Sequence, residues 1–112
     1  MLTLDDCLAF CELSEEEIAA IADHEHLPMI VAAELGSHLL QGPGGALRIK
    51  RIILDDVATA GRVGDRTRAV MLRLVLRRFV ERHPECRNRP AASRRAVRAT
   101  VRRFLEANRP GS

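Results

Sequence analysis

Apolar residues recur along the chain at spacings of three and four, broken by short Gly, Pro or acidic stretches, and no strand-like alternation runs to a useful length. The pattern predicts an all-α chain folded as a compact bundle of five to six short helices. Residues 14–41, SEEEIAAIADHEHLPMIVAAELGSHLLQ, read as a helical hairpin. Ser14 has the chemistry of an N-cap, Glu17 is its capping-box partner, and Glu15, Glu16 and Glu17 suit the positive end of a helix. Ile18, Ile21, Ala22 and Glu25 then share a face. Leu27 precedes Pro28, whose ring disfavours a helical residue before it, so the chain turns there. Pro28 suits the first position of the next helix, about 28–41, which carries Ile30, Val31, Leu35, Leu39 and Leu40.

Upstream, Thr3-Leu4-Asp5-Asp6 resembles a second capping signal, opening a helix to about residue 12 with Leu4, Cys7, Leu8 and Cys11 inward. Downstream, Gly42-Pro43-Gly44-Gly45 cannot continue a helix. A helix over 46–60 puts Ile49, Ile52, Ile53, Val57 and Ala60 on one stripe and Arg48, Arg51, Asp55 and Thr59 opposite, with Arg51 and Asp55 an i,i+4 pair. Residues 61–64 read as a turn and Asp65 as the next cap. The helix over 66–82 has a main stripe of Ala69, Leu72, Leu76, Phe79 and Val80, with Val70/Leu74 and Met71/Val75 as two more. A helix apolar in several directions is usually interior, so the segment 65–83 is expected to be central. It ends at His83-Pro84. After an irregular stretch at 85–90, a last helix over 91–108, with Ser93 as cap, carries a narrow stripe of Val97, Val101, Phe104 and Leu105. Residues 1–108 are expected to form a single helical domain and 109–112 a frayed tail.

Charge divides the chain. Residues 1–46 hold nine acids and no Lys or Arg; residues 47–112 hold all eighteen basic residues and the other six acids, giving −9 and +12. Such halves attract each other, within one chain or between two. The core must come from Leu, Ile, Val and Ala, since there are three Phe and no Trp or Tyr. No apolar run approaches the roughly 18 residues that span a bilayer, and the acidic start does not resemble an export signal. Three cysteines make no disulfide scaffold; Cys7 and Cys11 read as one reduced helix face. A cytoplasmic, non-membrane protein is expected.

Candidate chemistry is sparse. Asp23, His24, His26, Glu34, His38 and His83 are the residues that could serve a metal. His24 and His26 point about 200° apart on a helix, and His38 lies roughly 15 Å along the hairpin from the corner that holds His24. The Glu-x-x-His pair of di-iron bundles is absent. No nucleophile accompanies these histidines in a triad-like pattern, and no Gly-rich loop follows a strand. A helix-turn-helix drawn over 16–40 would offer DNA an acidic second helix. The stronger nucleic-acid candidate is the 91–108 helix, where Arg94, Arg95, Arg98, Arg102 and Arg103 could track a phosphate backbone. The lack of Tyr and Trp argues against a stacking platform for single strands.

The runs AIADHEHLPMIVAAELGSHLL, RIILDD and LRLVLRRFVERHPE resemble short uncharacterised proteobacterial all-helical proteins over roughly residues 2–86. That resemblance implies a bacterial cytoplasmic protein and carries no activity or functional residues with it. The leading expectation is a non-enzymatic binding or structural protein acting by helix–helix association, as a homodimer or with a protein partner. Nucleic-acid binding through the 91–108 helix and metal binding by the His/carboxylate set are the alternatives, and no cofactor other than that metal ion is expected.

Overall fold

The computed structural model describes residues 12–109, which form five α-helices: α1 (Glu15–Glu25), α2 (Met29–Gln41), α3 (Gly45–Arg62), α4 (Arg66–Arg82) and α5 (Arg94–Ala107), with a 3₁₀ turn at Pro84–Cys86. The all-α bundle is what forms, with no strand among the described residues. The helix read at 3–12, with Cys7 and Cys11, lies outside the described residues, as does the tail at 110–112.

Local chemistry places the helix ends. Ser14 Oγ accepts from the Glu17 N–H at 3.2 Å, and Glu17 Oε1 accepts from the Ser14 N–H at 2.9 Å, completing the capping box. α1 closes at His26, which takes the left-handed conformation at φ 57°. Pro28 is extended and serves as N-cap of α2, one residue earlier in the helix frame than the expected N1 position. Asp65 and Ser93 cap α4 and α5 as their sequence context predicts, each accepting from a backbone N–H three residues on. The α2–α3 connection depends on glycine. Gly44 sits at φ +72°, and a Cβ on Gly45 would fall 1.6 Å from the Leu39 carbonyl oxygen, so the two helices meet closer than any side chain permits.

α3 occupies the middle of the bundle. Its Ile49, Ile52 and Ile53 are fully buried, and it packs against α1, α2, α4, α5 and the 3₁₀ turn. Each such isoleucine contributes about 1.5–3 kcal/mol by leaving water. The expectation that 65–83 is the central helix is corrected here: α4 packs mainly on α3, with smaller contacts to α1 and the 3₁₀ turn. Its Ala69, Leu72 and Phe79 are buried, while Val70, Met71 and Leu74 stay 53%, 55% and 42% exposed. Of its two extra stripes, Val70, Met71 and Leu74 face solvent, while Val75 packs partly against the core.

Two ion pairs close the acidic half on the basic half within one chain. Asp23 meets Arg68 at 2.6 Å on the surface. Glu17, only 1% exposed, pairs with Arg82 through the oxygen that also accepts from Ser14, while its other oxygen has no partner. Removing Arg82 would leave a buried carboxylate without a countercharge, whereas removing Arg68 exposes Asp23 to water that already reaches it. Urea denaturation should therefore show Arg82→Ala losing about 3 kcal/mol and Arg68→Ala less than about 1 kcal/mol. Equal losses would contradict this ranking.

Candidate functional site

The polar side of α3 positions everything that follows it in the chain. Lys50 Nζ donates to the carbonyls of Cys86 at 3.1 Å and Arg89 at 2.9 Å, and Arg51 Nε donates to that of Ala92 at 2.9 Å. The Ala92 N–H donates in turn to the Leu47 carbonyl at 3.1 Å. These bonds pin the irregular segment along α3 and deliver Ser93, and thus the start of α5, beside the last turn of α1.

At that meeting point His24 stands between two carboxylates. Its Nδ1 lies 2.5 Å from Glu25 Oε2 and its Nε2 lies 3.2 Å from Asp55 Oδ2. Both ring nitrogens face acceptors, an arrangement that only the doubly protonated imidazolium satisfies. The Glu25 carboxylate, with Asp55 behind it, raises the His24 pKa above its usual 6.5 against the opposing effect of burial. Asp55 also receives Arg94 Nε at 3.0 Å and faces Arg51 Nη1 at 3.6 Å. Burial alone would raise the Asp55 pKa, but the bonds from His24 and Arg94 prevail and lower it. One residue on, Asp56 is buried with Oδ2 unpartnered. Burial pushes its pKa up to about 6, while the positive charges of His24 and Arg68 act the other way.

Beside this cluster a groove of about 820 Å³ runs along α5, walled on the far side by His24, Glu25 and Val31. Leu105 and the edges of the almost wholly buried Val97 and Val101 form its apolar floor on α5, with Arg94, Arg98 and Arg102 along the rim. Arg95 and Arg103 are exposed outside it, Arg103 bordering a separate hollow with His38. The arginines of the 91–108 segment are therefore divided over more than one side of α5.

Of the six residues considered for a metal, Asp23, His24 and His26 border one hollow with Asp55 and Asp56, and Glu34, His38 and His83 lie elsewhere. Asp23 is taken by Arg68, and His26 is an exposed helix cap. Glu34 is exposed, and the His38 ring packs on Phe104 with centroids 5.3 Å apart. His83 stacks on Phe79 at 4.3 Å and donates from Nδ1 to the Phe79 carbonyl at 3.0 Å. Among the described residues no group of three or more His, Cys, Asp or Glu side chains is arranged to hold a metal ion. Cys86 is fully buried and burial pushes its thiol pKa up, so it offers no thiolate at neutral pH. Thr59, which lines the hollow around His24 and Asp56, accepts from Arg62 at 3.1 Å. The cluster can hold a proton and orient charge, but the described residues put no activated nucleophile beside it.

Sequence reasoning found His24 and its neighbour Glu25 but missed the partner on α3. Asp55 lies 31 positions away, and only tertiary packing joins them. Asp56 did leave a trace: it occupies the 49, 53, 56, 60 register of the α3 apolar stripe, where a carboxylate must be buried.

The titrations set a pH dependence. Asp56 holds its proton more tightly folded than unfolded, so its contribution to stability is full below about pH 4 and is lost as pH rises through about 6. His24 acts in the same sense, its contribution being lost as pH rises above 6.5 through the raised folded value. Asp55, held low, opposes them only below its ordinary 3.8. Asp56→Asn should therefore flatten the fall in unfolding free energy between pH 4.5 and 7.5 and add about 1–2 kcal/mol at the upper end. An unchanged pH slope in that variant, measured by urea denaturation, would contradict the assignment.

Comparison with known proteins finds no family, no curated protein and no solved structure that matches the chain.

Proposed function

We propose that this protein works by helix–helix association and not by turnover, forming a homodimer through α4. The observation that carries this reading is the uncovered apolar surface of Val70, Met71 and Leu74 on adjacent turns of α4. Scattered exposed hydrophobes are ordinary, but a contiguous set on a helix otherwise rich in Arg marks a contact surface. A two-fold, antiparallel pairing of α4 would set Val70 of one copy against Leu74 of the other, as an isologous interface requires. An interface of about 1,600 Å² in total would be ordinary for such a dimer. The division of charge does not supply the dimer contact by itself, since Glu17–Arg82 and Asp23–Arg68 already use part of it inside the chain.

Nucleic-acid binding along α5 is the second reading. In its favour, Arg95, Arg98, Arg102 and Arg103 are exposed and meet no carboxylate among the described residues. Against it, Arg94 is committed to Asp55, and Arg98 and Arg102 border a groove with an apolar floor. Phosphates gain nothing from that floor. No helix of the described residues is long and apolar enough to cross a membrane, so a spanning role has no support there.

Sedimentation equilibrium at micromolar concentration should give about twice the 12.5 kDa chain mass for the native protein and the single-chain mass for Leu74→Lys. A native protein that sediments as a monomer would sink the homodimer.

A further inference from the structure

The groove along α5 differs in kind from the α4 surface, because it combines an apolar floor with a row of arginines of which Arg98 and Arg102 meet no carboxylate among the described residues. α5 is amphipathic, and two parallel rows run down its groove side at a spacing of four residues. Val97, Val101 and Leu105 make one row; Arg94, Arg98 and Arg102 make the other. Residues four apart stack along a helix face, so each row covers the same two turns and more. The 14 residues of α5 span about 21 Å at 1.5 Å per residue, and the groove follows them from end to end. Val31 on α2 forms the opposite apolar wall. Leu105 is 37% exposed there, an apolar side chain that its own helix cannot cover.

We propose that this groove binds an acidic amphipathic helix contributed by another protein. The charge on the rim selects that occupant. Arg98 and Arg102 meet no carboxylate among the described residues, while Arg94, in the same row, already binds one in Asp55 at 3.0 Å. A helix laid beside α5 with carboxylates spaced by three or four residues would continue that pairing down the rim, and its apolar stripe would fill the floor. A single-headed amphiphile such as a fatty acid would leave most of the distributed charge unmatched. A nucleic acid would match the charge and leave the apolar floor unused. A second copy of the chain is a poor occupant. Its own α5 carries the same positive row, and α1, the acidic helix among the described residues, has Ile18, Ile21 and Ala22 already buried.

The test uses the full-length protein and a labelled 16-residue peptide with leucines at a helical spacing flanked by glutamates, read by fluorescence anisotropy. The same peptide with glutamine for glutamate, a dansylated undecanoic acid and a labelled DNA duplex are run beside it. Saturable binding of the acidic peptide is expected, weakened at least tenfold by Arg98→Ala with Arg102→Ala, by Leu105→Asp, and by the glutamine peptide. Arg73→Ala with Arg77→Ala, which removes the same charge from α4, should leave the affinity within twofold. Circular dichroism confirms that each variant is folded. The proposal is overturned if the acidic peptide does not bind, if the α4 control weakens it equally, or if the DNA or the fatty acid binds more tightly and displaces it. Running the peptide on Leu74→Lys as well separates this site from dimerisation, since groove binding should survive the loss of the α4 contact.

Discussion

The fold depends on α3 satisfying two opposite demands at once. One side must bury a stripe of isoleucines against α1, α2 and α4; the other must hold an irregular segment by its backbone. The first demand is non-directional and fixes only that neighbours gather around α3. The second is directional. Lys50 and Arg51 spend their donors on the carbonyls of Cys86, Arg89 and Ala92, which have no ladder of their own to satisfy them. Asp55 then receives Arg94 and His24 together, so the first turn of α5 and the last turn of α1 register on a single carboxylate. The groove beside α5 follows from that registration.

Charge serves two different purposes in the two halves. Part of it is used internally: Arg82 neutralises a carboxylate that is buried because it is also a helix cap, and Arg68 clips the end of α1. Much of the rest stays exposed on α4 and α5. Exposed pairs contribute little to stability, so evolution is free to place the unpaired arginines for contact with something else. In the reading offered here, the apolar surface of α4 meets a second copy and the cationic rim of α5 meets acidic helix, two surfaces that differ in what they can attract.

Much of the architecture was legible in the chain because its causes are local. The Ser14 capping box, the turn before Pro28, the Gly-Pro-Gly-Gly break and the caps at Asp65 and Ser93 each depend on residues within four positions of one another. What could not be read depended on tertiary partners. α4 shows three apolar stripes, and periodicity cannot say which of their residues find a neighbour. α5 begins at Arg94 and not at 91 because Ala92 is drawn into hydrogen bonds with Leu47 and Arg51 on α3. The histidines carried a chemical suggestion of metal, yet packing sends His38 and His83 onto phenylalanines and His24 between carboxylates.

The central claim is that the polar side of α3, through Arg51 and Asp55, is what holds α5 in place. Native-state hydrogen exchange on Arg51→Met with Asp55→Asn tests it residue by residue. Amides of α5 should lose at least tenfold of their protection while those of α1, α2 and α3 keep theirs. Uniform loss across all helices, or α5 protection equal to that of the native chain, would contradict the account.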